Sequence, residues 1–134
     1  MRNKRAEKTY VIRVYIHDKV NNETETGFLS FDYGWWNTAK LTDAHIVKTR
    51  KDAVEIIKNI INEEPASMSD GKKYPPFEIY RIGEFGAGRT SISFRLSVVE
   101  INIDNIEMKE LDYWNGTVSY ENPEILLTEI GGID

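Results

Sequence analysis

Cysteine is absent from the 134 residues, proline occurs four times and histidine twice. Without cysteine there is no disulfide framework and no thiolate metal site, which points to a cytosolic setting. His17 and His45 stand alone, with no H-x-x-x-H or carboxylate–histidine spacing around either, so no metal ligand set is read. A G-x-S-x-G elbow is missing too, and no signature calls for a cofactor. No apolar run approaches the roughly 18–20 residues of a membrane span. The basic start, Met1-Arg2-Asn3-Lys4-Arg5, leads into further charge rather than an apolar stretch, which argues against a signal peptide. Repeats and low-complexity tracts are also lacking.

Positive charge is scarce in the last quarter. The whole chain carries 17 Lys and Arg against 22 Asp and Glu, a formal net charge of −5. Residues 1–100 hold 16 basic and 14 acidic groups, whereas residues 101–134 hold eight acidic groups and only Lys109, a balance of −7. Such asymmetry suggests an oppositely charged partner, and the acidic total argues against direct nucleic-acid binding.

The length fits one domain. A basic arm over 1–8, a single domain over 9–124 and a C-terminal tail over 125–134, open to fraying, are the expected divisions. Residues 9–17 alternate as a strand, with Tyr10, Ile12, Val14 and Ile16 on one face and Val11, Arg13, Tyr15 and His17 on the other. A polar connection over Asp18–Thr26 precedes a second strand at 28–33, and a short third strand is expected within Leu41–Val47. From about 50 to 62, Ala53, Ile56, Ile57, Ile60 and Ile61 form one apolar helical stripe, with Thr49 as N-cap and Asp52 in the capping-box position. Residues 64–76 read as a surface loop. Two strands, at 77–85 and 90–103, flank a Gly86-Ala87-Gly88 turn, and the shift of pattern past Val99 suggests a bulge. Asp104-Asn105 reads as a turn, and Asn115-Gly116 between β-prone residues predicts a hairpin. The fold expected is α+β, a mostly antiparallel sheet of five to seven strands with one principal amphipathic helix packed on one face.

Chemistry-bearing groups are dispersed. The glycines at 83–90 fit neither a Walker loop nor G-x-G-x-x-G, because a strand follows and the spacing fails. Glu107, Glu110, Asp112, Glu121 and Glu124 concentrate acid near the C-terminus, and Trp114 or Tyr120 could anchor a partner beside them. Arg89 and Arg95, with Trp35 and Trp36, could instead line a pocket for a small ligand such as a nucleotide signal.

The run Trp-Asn-Thr-Ala-Lys-Leu-Thr-Asp-Ala-His-Ile-Val-Lys-Thr-Arg-Lys-Asp-Ala-Val-Glu-Ile-Ile, from Trp36 to Ile57, resembles a pattern in small accessory proteins of phages and mobile elements of low-GC Gram-positive bacteria. The 16 Ile and 10 Asn against six Ala agree with an AT-rich coding genome. That group includes anti-CRISPR and other inhibitors of host defence, which typically bind rather than catalyse. The resemblance implies a non-enzymatic binding protein, acting in the cytoplasm of the bacterial host, whose acidic C-terminal surface occupies the basic nucleic-acid-binding site of a host or defence protein. It carries over no site residue. The alternatives are the small-ligand protein and, behind it, a small hydrolase that would need His17 or His45 in a pocket beside a carboxylate. A homodimer through an edge strand or the helix face is compatible with all three.

Overall fold

The N-terminal alternation becomes strand β1 (Lys8–Asp18) in the computed structural model, which describes residues 8–86, 88–102, 104–105 and 107–132. Most of the basic arm, residues 1–7, lies outside the described residues, as do Ala87 and Ile103. The reversal after β1 is tighter than the sequence suggests. Asp18 accepts the backbone N–H groups of Val20 and Asn21 at 3.0 and 3.1 Å, an Asx turn, and Asn22 takes a left-handed φ of 53°. Strand β2 (Glu23–Phe31) therefore starts inside the stretch read as a connection.

Tyr33 and Gly34 (φ 58° and 138°) then turn the chain at once, so that β3 (Trp35–Thr38) pairs back on β2. A side chain at Gly34 would overlap the Arg81 guanidinium. The third strand thus precedes its expected place. Residues 41–43 form a 3-10 turn, and of the rest only Val47 bridges Tyr10. The principal helix, α1 (Arg50–Ile61), forms as read: the Thr49 hydroxyl accepts the Asp52 N–H at 3.1 Å, and Ala53, Ile57, Ile60 and Ile61 are buried.

The expected surface loop contains a two-stranded ribbon, β4 (Ala66–Ser67) with β5 (Lys73–Tyr74). The strand expected at 77–85 is instead a short helix, α2 (Phe77–Ile82). Ile79 and Ile82, three apart, are both fully buried, a spacing that a regular strand splits between two faces and a helix brings to one. Gly83 closes α2, and Arg89 leads into β6 (Ser91–Asn102). A turn at Asp104 and Asn105 precedes β7 (Glu107–Ser119).

No hairpin forms at Asn115-Gly116. Both residues sit inside β7, and a Cβ at Gly116 would lie 2.6 Å from the Phe94 ring and 2.9 Å from the Leu126 carbonyl. The glycine serves close packing rather than a turn. The expected tail is also structured, because Leu126–Gly132 form β8 along β7.

All six long-sheet strands are antiparallel to their neighbours, in the order β3-β2-β1-β6-β7-β8, an α+β arrangement of six strands with one main helix. One face packs Ile12, Val14, Ile16, Phe94, Leu96 and Val98 against α1 and α2. Each fully buried Ile or Leu there stabilises the fold by about 1.5–3 kcal/mol. The opposite face is open except at one end, where Ala44 joins Val11, Val99 and Ile101 in a smaller core. To reach it, the chain passes between the ends of β1 and β2: His45 N–H bonds Leu29 O, and Val47 bonds Tyr10 in both directions. A bulge falls where the pattern shift predicted it, but in β7. Val98 faces Asp112 and Val99 faces Glu110, so Leu111 is the extra residue. No helix among the described residues is long and apolar enough to cross a membrane.

Candidate interaction surface

The Leu111 bulge decides the fate of two carboxylates. Glu110 and Asp112 would share a face in a regular strand; the extra residue sends them to opposite faces. Glu110 lies on the open face. There it accepts from Arg95 Nε at 3.1 Å and Ser97 Oγ at 2.6 Å, with Arg13 3.8 Å away. The Arg95 hydrogen bonds, with help from Ser97, hold its pKa below the ordinary glutamate value despite partial burial. Asp112 lies on the helix face and takes a bidentate pair from Arg50, at 2.8 and 2.9 Å, at the start of α1. Both charges are thus matched within the fold. Trp114, expected as a partner anchor, is 5% exposed in the main core beside Leu96. It faces inward because strand alternation puts it on the helix face.

The proposed ligand set is equally scattered. Arg89 is 6% exposed and lies among Asp18, Glu23, Glu25 and Glu84, with nitrogen–oxygen distances of 3.3–3.6 Å, and it also donates to the Gly83 carbonyl at 3.0 Å. It locks the loop before β6 to the β1–β2 turn. Hydrogen bonds from Asn21 lower the pKa of Asp18, while burial and the nearby Glu25 raise that of Glu84. The cleft here has a volume of about 160 Å³. Arg95 is on the other side of the sheet, stacked over Tyr113 at 3.8 Å. Trp35 packs on the main core and against His45, and Trp36 is half-exposed on the open face. These four residues form no common pocket. Among the described residues neither histidine is paired with a carboxylate: His17 meets Thr24 Oγ1 at 3.0 Å, and His45 meets Trp35. Among the described residues no group of three His, Cys, Asp or Glu side chains is placed to hold a metal.

What the structure does bring together lies around the β7–β8 connection. Tyr120 joins Tyr74, Tyr80 and Phe85 in an aromatic cluster, its hydroxyl 3.4 Å from that of Tyr80. Burial and that contact push its pKa up to about 12, so it is a neutral phenol at any physiological pH. Glu121 and Glu124 follow it, exposed and without ion pairs among the described residues. Glu124 and Leu126 line a cleft of about 270 Å³ with Pro65 and Lys73. Beyond it β8 exposes Leu126, Leu127 and Ile130 at 52%, 40% and 61%. Glu129 is also exposed and accepts from Asn115 Nδ2 at 2.8 Å. Glu107 is exposed at the far end of β7.

The two sheet edges differ. Short β3 is covered by α2: Glu78 accepts the Trp35 N–H at 3.1 Å, and Arg81 donates to the Tyr33 carbonyl at 3.0 Å. Seven-residue β8 has no such cover among the described residues, and no Lys, Arg or Pro to protect it.

No family model, curated protein or solved structure matches this chain. The Trp36–Ile57 run folds as most of β3, the 3-10 turn and most of α1.

Proposed function

We propose that the protein is a non-catalytic binding protein that covers a basic, nucleic-acid-binding surface on a host or defence protein, as an inhibitor of the anti-CRISPR kind does. The observation that carries this reading is the exposed apolar strand β8 next to Glu121, Glu124 and Glu129, in a stretch from 110 to 134 without one Lys or Arg. An apolar centre beside a mainly acidic rim, with Lys73 alongside Glu124, suits a protein partner that carries positive charge. Glu110 and Asp112 are not part of that rim, since arginines already neutralise them. The ligand-binding alternative loses its support with the dispersal of Arg89, Arg95, Trp35 and Trp36.

The test is affinity capture from nuclease-treated bacterial lysate, comparing the native chain with a Glu121→Lys/Glu124→Lys/Glu129→Lys variant. A nucleic-acid-processing protein retained by the native chain, eluted by salt and lost with the variant is the expected result. Capture that the triple reversal leaves undiminished, or no protein captured at all, would overturn the reading.

A further inference from the structure

We propose that the acidic surface takes its partner by strand addition: an extended partner segment, alternating cationic with apolar residues, lies along β8 as a seventh strand. This rests on the binding reading above and specifies its geometry. β8 ends the strand order, so every second backbone N–H and C=O along its outer side has no ladder partner among the described residues. Such a row is a template for another strand.

The side chains then define what fits. Asn115 faces Glu129 and Gly116 faces Leu127, so Thr128 is an extra residue in β8. That bulge places Leu127 and Ile130 in one row, on the helix side with Gly116 and Trp114, although they are three positions apart. Glu129 stands in the opposite row with Asn115 and Tyr113's neighbour Gly131. An incoming strand must offer apolar side chains to Leu127 and Ile130 on one side and a cation to Glu129 on the other. Further cations toward its end would meet Glu124 and Glu121. A second copy of this chain meets the apolar requirement but not the electrostatic one: its own edge would bring the same carboxylates, with no cation between 110 and 134 to offset them.

An eight-residue peptide of alternating lysine and valine, capped at both ends, is a suitable probe. Its control is the isomer with four lysines followed by four valines, equal in charge but unable to present two pure rows. The alternating peptide should bind at least tenfold tighter, slow hydrogen exchange at β8 amides and leave β3 amides unchanged. A Leu127→Lys/Ile130→Lys variant, with its fold checked by unchanged protection in β6, should lose that tenfold preference. Equal binding of the two isomers without β8 protection would overturn strand addition while leaving acidic docking intact. Binding of neither peptide would overturn strand addition as well, and the lysate capture would judge the broader reading separately. A concentration-dependent dimer abolished by Ile130→Lys would assign the edge to a second copy and overturn the proposal.

Discussion

Two turns at the same end of the sheet carry acid in different ways. In the β1–β2 turn, Asp18, Glu23 and Glu25 are gathered with Glu84 around the buried Arg89 guanidinium. In the β7–β8 connection, Glu121 and Glu124 point outward with no arginine near them among the described residues. Carboxylates of the first kind tie a loop to a hairpin; those of the second tie nothing and stay available to a partner. The contrast shows why counting acids along a sequence overstates a recognition surface: much of the charge is already spoken for.

Removing Arg89 tests the first turn most severely. Arg89→Met should leave Asp18, Glu25 and Glu84 gathered without their cation and lower stability more than any other substitution named here, measured as the urea midpoint. A loss below that of an ordinary surface substitution would make the two turns equivalent. The Arg50–Asp112 pair is the next step down. It is bidentate but partly exposed, and Arg50→Ala should cost about 1 kcal/mol in the same assay.

Acidity divides the paired carboxylates by sign, even within the first turn, where Asp18 and Glu84 shift in opposite directions. Glu110 and Asp18 have lowered pKa values in the folded state, so their contribution is present above the ordinary carboxylate pKa and fades as pH falls through the folded values. Glu84 is raised, so the folded state holds its proton more tightly, and stability falls as pH rises from its ordinary value through the raised one. Urea midpoints from pH 3 to 8 should show Glu110→Gln weakening the acid limb. Glu84→Gln should instead remove the opposing slope and stabilise slightly at neutral pH. Identical profiles for both variants would refute the assignment. The smallest effect on stability belongs to Glu121→Lys/Glu124→Lys, within about 0.5 kcal/mol of the native chain. That variant should nevertheless bind the alternating cationic peptide several-fold more weakly, as titration fluorescence would register.

Much of the architecture was legible because single periods dominate it. The 2-residue period of β1 and β6 and the 3.6-residue stripe of α1 each arise from one buried face. α2 escaped because Phe-Glu-Ile-Tyr-Arg-Ile is too short to tell the two periods apart, and only the burial of both Ile79 and Ile82 settles it. Asn115-Gly116 misled because its local turn signal is outweighed by the Phe94 ring and the Leu126 carbonyl, contacts remote in sequence. For the site, Tyr120, Glu121 and Glu124 come together as contiguous residues would. Glu110, Asp112 and Trp114 do not, because one inserted residue in β7 and two distant arginines govern them. Leu126, Leu127 and Ile130 were hidden in a segment whose closing glycines read as a tail.

The passage of residues 44–47 between β1 and β2 couples events that are usually separate. Ala44 belongs to the small core on the open face and Val47 to the large core under the helices. Peeling β2 from β1 therefore withdraws a plug from both cores together. The two faces should open as one cooperative unit in native-state hydrogen exchange, with a shared opening free energy for the amides of Tyr10 and Val47. A sheet of this size commonly frays from its margins inward; here a stitch through the middle should make β1, β2 and α1 open together, while β8, at the margin, opens separately.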